Sequence, residues 1–255
     1  MIIDSHTHLE MEEFEEDRDA VVERAREAGV EGMITVGTTL AYCQKALEVA
    51  ALYPEVYVAV GIHPHDAKDI DIGTYDRLRE LAAEVKVVAY GEIGLDFFHD
   101  LSPRPVQITC FGEQLGLASE IGLPVIIHDR EAHKETLAML HEHRGKLRGV
   151  IHCFSGDRAM AGKCLDLGFC ISVPGTVTFK KADELRKVVQ YIPLESLLVE
   201  TDAPFLAPQP YRGKRNEPAY VVKTAEKIAE LKGLPYPELA RATTENAKAL
   251  FGLRG

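Results

Sequence analysis

The chain of 255 residues carries 40 acidic against 29 basic side chains, a formal charge of -11, and an apolar share of 46%. That length and composition suit one domain, residues 1–255, with a substantial core, and the acidity argues against a protein that coats nucleic acid, since phosphate contacts need a basic surface. A phosphate-bearing substrate stays open, because a pocket holding divalent cations and a few Arg or Lys side chains is locally positive even on an acidic protein.

Met1 leads directly into a strand-like run without a basic leader, and no apolar segment approaches the roughly 20 residues of a membrane span. The expectation is a cytoplasmic protein, not membrane-bound and with no obligate protein partner. Its five cysteines, Cys43, Cys110, Cys153, Cys164 and Cys170, include no Cys-x-x-Cys pair and read as reduced, packed thiols.

In chain order, Met1, Ile2 and Ile3 open a strand that ends in Asp4-Ser5-His6-Thr7-His8. Alternate residues of a strand share a face, so His6 and His8 point the same way. Residues 10–28 read as an acidic helix stopped by Gly29. The strand 30–36 and helix 40–52 follow. Val56 to Val60 is an apolar run, as expected of a parallel strand covered on both faces, and it runs into Gly61-Ile62-His63-Pro64-His65. A helix over 75–81 leads to a strand over 85–90, whose end carries Glu92. After a helix over 105–121, the strand 124–127 ends in His128-Asp129-Arg130. A helix over 132–143 and a strand over 148–151 deliver His152. The helix 159–167, strand 169–173, helix 182–191 and strand 197–199 complete the series, ending in Glu200-Thr201-Asp202. A loop rich in proline and basic residues over 208–218 and two final helices close the chain.

Eight strands alternating with helices indicate an α/β fold, a (β/α)8 TIM barrel. A doubly wound sheet is the competing architecture, disfavoured because no glycine-rich nucleotide loop follows the first strand. In a barrel the strand C-termini form the active site, and there lie His6, His8, His63, His65, Glu92, His128, His152 and Asp202. Six of the ten histidines fall at these ends, while His99, His133, His141 and His143 read as solvated. Imidazoles with carboxylates suit zinc, manganese, iron or another borderline divalent ion, and less readily a lone magnesium. The ligand count exceeds one ion's needs, so two ions bridged by Glu92 are expected. A bound ion lowers the pKa of its water to about 7, and Asp202 is placed to orient that water and take its proton. Hydrolysis needs only these parts.

These strand-end motifs, DSHTHL at 4–9, GIHPH at 61–65, GEIGLDF at 91–97, IHDR at 127–130, HCFSG at 152–156, TFKKA at 178–182, ETDAPFLAP at 200–208 and RNEPAY at 215–220, span the chain in order. Together they resemble the TatD family of metal-dependent deoxyribonucleases, which have amidohydrolase-like barrels. The resemblance implies one ion on His6, His8 and Glu92 and a second on Glu92, His128 and His152, with zinc, manganese, magnesium, iron and nickel all open. It implies Asp202 as the carboxylate that activates water, and His63 as a contact to substrate phosphate or the leaving group. The chain departs from the family at Phe97 and Phe98, where tyrosines are common, and at Pro174 before Gly175.

Arg130, two residues after His128, reads as a phosphate contact ahead of a partner for a carboxylate, and His65 as a further substrate contact. Lys180 and Lys181 read as solvated, with room for one to point inward. For Arg212, Lys214 and Arg215, a backbone-phosphate role and a solvated loop are equal readings. Asn216, Glu217 and Pro218 read as fixing that loop. The leading function is phosphodiester hydrolysis on DNA ends or single strands, exonucleolytic in kind. The alternatives are hydrolysis of a carboxylic ester or amide, such as deacylation of a D-aminoacyl-tRNA, and a non-catalytic metal-binding interaction protein.

Overall fold

The computed structural model describes residues 1–253. Among them, eight parallel strands follow one another around a sheet in sequence order: β1 (Ile2–Thr7), β2 (Val30–Gly37), β3 (Val56–Val60), β4 (Val87–Asp96), β5 (Val125–Arg130), β6 (Gly149–Ile151), β7 (Cys170–Val173) and β8 (Leu197–Val199). Between them run α1 (Arg18–Glu27), α2 (Leu40–Leu52), α3 (Thr74–Ala82), α4 (Arg104–Ile121), α5 (His133–Glu142), α6 (Arg158–Asp166) and α7 (Asp183–Tyr191), and α8 (Val221–Lys232) and α9 (Tyr236–Phe251) come last. The TIM barrel expected from the sequence is the fold.

The seam between β1 and β8 is closed by hydrogen bonds at the C-terminal end. Asp202 N donates to His6 O at 2.9 Å, His8 N to Ala203 O at 2.8 Å, and Ser5 Oγ to Val199 O at 2.9 Å. Closure therefore sets His6, His8 and Asp202 beside one another although almost 200 positions separate them. Alternate strand residues fill two apolar layers. Ile3, Ile34, Ala59, Ala89, Ile126, Val150 and Leu198 form one cluster, over which α9 lays Ala247, Leu250 and Phe251; the opposite residues meet the outer helices. Strands buried on both faces explain the unbroken Val/Ile/Leu runs. No helix is long and apolar enough to cross a membrane among the described residues.

The acidic stretch 10–28 departs from expectation. A helical turn at Glu12–Phe14 precedes α1, which begins only at Arg18. Glu12, Glu13, Glu15, Glu16 and Asp17 would set like charges three and four residues apart in one helix, which is destabilising; Asp17 pairs instead with Arg215 at 2.7 Å. In the fourth strand, Val85 is exposed and pairing runs on to Asp96 through a register shift between Tyr90 and Ile93. Glu92 thus lies inside β4, not beyond its end.

Candidate metal centre

Two glycines bring Glu92 to the barrel axis. A Cβ on Gly91 would lie 2.7 Å from both the Cβ and the carbonyl oxygen of Ile126, and one on Gly94, whose φ is +149°, would lie 1.9 Å from His128 O. Only glycine lets β4 approach β5 this closely. The buried Glu92 carboxylate then divides its oxygens. Oε1 stands 2.6 Å from His128 Nδ1, 2.7 Å from His152 Nε2 and 3.5 Å from His63 Nε2, whereas Oε2 stands 3.4 Å from His6 Nε2. His6 and His8 bring their Nε2 atoms to 3.2 Å of each other, and Asp202 Oδ1 lies 3.8 and 3.5 Å from them. His6 and His152 stack with ring centroids 3.8 Å apart.

The geometry brings together every ligand expected from the sequence. Ligand-type atoms group as His6, His8 and Glu92; as His6, His152 and Asp202; and as His63, Glu92 and His128. His63, expected beside the ions, is thus within ligand reach. A fourth group, His65, Asp96 and His99, lies at the rim.

Carboxylates behind the ring fix the imidazoles. His8 Nδ1 lies 2.9 Å from Val36 O and 3.2 Å from Glu10 Oε1, so its Nε2 is the nitrogen that turns inward. Glu10 Oε2 in turn accepts from Thr35 Oγ1 at 2.5 Å. His152 Nδ1 lies 3.4 Å from Glu200, which also accepts from Cys153 N at 2.7 Å. Such outer partners set the tautomer and raise the basicity of a ligating histidine. Asp4 accepts from Thr201 N at 2.9 Å and pairs with Thr201 Oγ1 at 2.5 Å, tying β1 to the segment that carries Asp202; burial, only partly opposed by these bonds, pushes its carboxyl up to about 8.

The same packing sets the charges. Burial alone would raise Glu92, but His152 and His63 and its bonds to His128 and His152 outweigh it and hold the carboxyl well below the usual range. Burial, with His152 and His8 nearby, lowers His6. It lowers His63 to about 4, Glu92 only partly offsetting it. For His8, the bonds to Asp202 and Glu10 outweigh burial and raise the imidazole well above its ordinary value. Asp202 is lowered, its hydrogen bond to His8 and the nearby imidazoles overcoming burial.

Among the described residues, Asp4, Glu10, Glu92, Asp96, Asp129, Glu200 and Glu217 are all buried, whereas no Lys or Arg is. Glu217 alone of these pairs with an arginine, Arg24, at 2.6 Å. A set of buried imidazoles and carboxylates with no buried basic side chain fits divalent cations, the counter-charge such donors take.

Comparison with known proteins gives the family. The sequence profile of the TatD-related DNases matches residues 3–252. The chain belongs to that family. It is accordingly a metal-dependent hydrolase, and the non-catalytic alternative falls. Its relatives include YabD of Bacillus subtilis, described as an uncharacterized metal-dependent hydrolase, 44% identical over 252 residues that cover 98% of this chain and 99% of YabD. The protein of Erwinia amylovora named 3'-5' ssDNA/RNA exonuclease TatD is 40% identical over 259 residues, covering 99% and 100%. The crystal structure of YjjV, a TatD homologue of Escherichia coli, superposes with a TM-score of 0.94 at 34% identity, covering 99% of this chain and 98% of YjjV.

Some sequence readings change. His99 and His133 are not simply solvated: His99 Nδ1 meets Asp96 at 2.8 Å and His133 Nδ1 meets Asp129 at 2.7 Å. Arg130 pairs with no carboxylate among the described residues; its guanidinium lies over Phe98, 5.0 Å from the ring centre. Arg215 is committed to Asp17, while Arg212 lies over Phe179. Asn216 and Glu217 do fix the loop, Asn216 Nδ2 donating to Thr201 O and Phe205 O at 2.8 and 2.6 Å. Roles for Asp4, Glu10, Asp96 and Glu200 were missed. Period two carried a signal for all four, because Asp4 stands two residues from His6, Glu10 two from His8, Glu200 two from Asp202 and Asp96 four from Glu92.

Proposed function

We propose that the protein hydrolyses phosphodiester bonds of single-stranded nucleic acid from an end, using two divalent ions. His6, His8 and Glu92 would hold one, and Glu92, His128 and His152 the other, with Asp202 reaching the first. The observation that carries the two-ion reading is the division of Glu92, with Oε2 toward His6 and Oε1 toward His128 and His152. Ions bound there supply Lewis acidity and lower the pKa of a water from 15.7 to about 7.

The remaining work falls to side chains. Asp202, kept ionised, orients the attacking water and accepts its proton on a carboxylate oxygen. His63 Nδ1 accepts from His65 N at 3.2 Å, so a neutral His63 carries its proton on Nε2, facing the centre. Lowered to about 4, that ring is neutral near pH 7 and serves as a donor to a phosphate or leaving oxygen.

The substrate class rests on the mouth. A cavity of about 590 Å³ beside the centre is lined by Arg130, Lys180, Lys181 and Arg212 together with Phe179 and Cys153. Four cations against one carboxylate, Glu184, gathered there on a chain of charge -11 suit a polyanion. Exposed Phe98 and Phe205 add flat apolar faces of the sort on which unpaired bases stack. A larger groove of about 890 Å³ lies between α5 and α6, whereas the smaller cavity takes in Arg130 and Cys153, which follow the proposed ligands His128 and His152 closely along the chain. The name of the Erwinia relative points to the same substrate class.

Single-stranded DNA and RNA labelled at either end, incubated with manganese, magnesium or zinc, test the reading. Stepwise loss of nucleotides from one end is expected. Intact oligonucleotides under every ion, with cleavage of an aminoacyl or other carboxylic ester, would assign the centre to acyl chemistry instead.

A further inference from the structure

Beside the centre, one buried carboxylate oxygen faces three imidazoles. Asp96 Oδ2 lies 2.7 Å from His65 Nε2, 2.8 Å from His99 Nδ1 and 3.3 Å from His128 Nε2. Its other oxygen is already engaged by the backbone, accepting from Phe98 N at 3.0 Å and His99 N at 2.8 Å. The carboxylate cannot turn away without losing both bonds. Its neighbours are equally fixed. Gln107 accepts from Asp96 N at 2.8 Å and donates to Asp96 O at 3.1 Å, while Ser102 Oγ donates to His65 O at 2.7 Å. The nearby cations are occupied elsewhere, Lys68 with Leu101 O and Arg104 with Asp100 and Phe97 O. Among the described residues Asp96 therefore has no lysine or arginine to balance it, and a single oxygen is asked to accept from three ring nitrogens.

We propose that His65 Nε2, Asp96 Oδ2 and His99 Nδ1 form a third divalent-cation site at the rim of the barrel mouth, separate from the ions held around Glu92. A cation there takes one donor atom from each residue and relieves the crowding on Oδ2. Two imidazoles and one carboxylate favour zinc, cobalt, nickel or manganese over calcium. The site is open: Asp96 is fully buried, but the side chains of His65 and His99 are 27% and 50% exposed. Three protein ligands with solvent access describe an exchangeable ion with water in its remaining positions, not a closed structural site. His128 joins this site to the centre, since its ring presents Nδ1 to Glu92 and Nε2 to Asp96. Binding at the rim needs no ion around Glu92, so the two assignments fail independently.

The test counts metal. Untagged protein, stripped with a chelator and equilibrated with excess zinc or cobalt by dialysis, is compared with His99→Ala, His65→Ala and His141→Ala for metal content per chain. The wild type and His141→Ala are expected to hold one equivalent more than His99→Ala and His65→Ala, and the visible cobalt spectrum to lose one component in those two variants. His99 is on the surface, and an unchanged melting temperature of metal-free His99→Ala excludes unfolding as the cause. The same difference of one equivalent is expected between Asp202→Asn and Asp202→Asn/His99→Ala, whatever becomes of the central ions. Equal metal content in wild type and His99→Ala would overturn the site, including when both hold the central ions.

Discussion

Replacing Asn216 with alanine tests how the chain holds its last carboxylate. Asn216 is fully buried and makes three hydrogen bonds: Nδ2 to Thr201 O at 2.8 Å and to Phe205 O at 2.6 Å, and Oδ1 from Glu217 N at 3.0 Å. The two carbonyls bracket Asp202, whose backbone is in the left-handed region at φ +56°. Aspartate tolerates that conformation better than most residues, yet it is held here by the bonds around it. At about 1 kcal/mol per lost hydrogen bond, alanine should cost about 3 kcal/mol. For a chain of this size that corresponds to a fall in melting temperature of about 6–12 °C. Relaxation of the loop also moves Asp202, and a shift of about 1 Å in a catalytic group costs on the order of 10²-fold in rate. Thermal unfolding followed by circular dichroism, with turnover at saturating substrate, measures both. A melting temperature within about 2 °C of wild type, which is under 1 kcal/mol, together with full turnover, would refute the bracket.

Gly94→Ala should prevent formation of the β4–β5 pairing, because the new Cβ would sit 1.9 Å from His128 O, while Gly168→Ala meets open space and suffers only from its φ of +84°. Soluble yield and denaturant unfolding separate them, and equal stability of the two variants would contradict the packing described. The thiols of Cys43 and Cys164 are each pushed by burial up to about 12 and that of Cys170 up to about 11. Since the thiolate is the reactive form, these three should resist iodoacetamide at pH 8 in the native protein and react once it is unfolded; rapid native labelling at Cys43, mapped by mass spectrometry, would count against their burial.

The barrel was legible because each strand is an apolar run closed by chemically distinctive residues, and the repeat of strand and helix admits few topologies. The convergence of the candidate ligands was legible for the same reason: a histidine at a strand's C-terminal end has one plausible place to point. The sequence hid what depends on local competition. Like charges from Glu12 to Asp17 cut short a helix that composition alone would extend, and β4 bends through a register shift that no periodicity announces. His99 lies beyond the strand pattern, in the loop after Asp96, where side-chain direction cannot be inferred from spacing. Arg130 and Arg215 look equivalent as loop arginines. Only the folded chain sets one beside the mouth and commits the other to Asp17.

The central claim is that the imidazoles and carboxylates around Glu92 hold the ions that make this chain a hydrolase and that Asp202 serves the attacking water. The most direct measurement is turnover of end-labelled single-stranded DNA by chelator-treated protein, with and without restored manganese or zinc, for wild type and Asp202→Asn. Activity should vanish on chelation and return with metal in the wild type. In Asp202→Asn it should stay about 10²–10⁴-fold lower, the range for loss of a positioned acid or base, while unfolding remains cooperative. Undiminished cleavage by Asp202→Asn, or cleavage that persists after complete metal removal, would contradict the account.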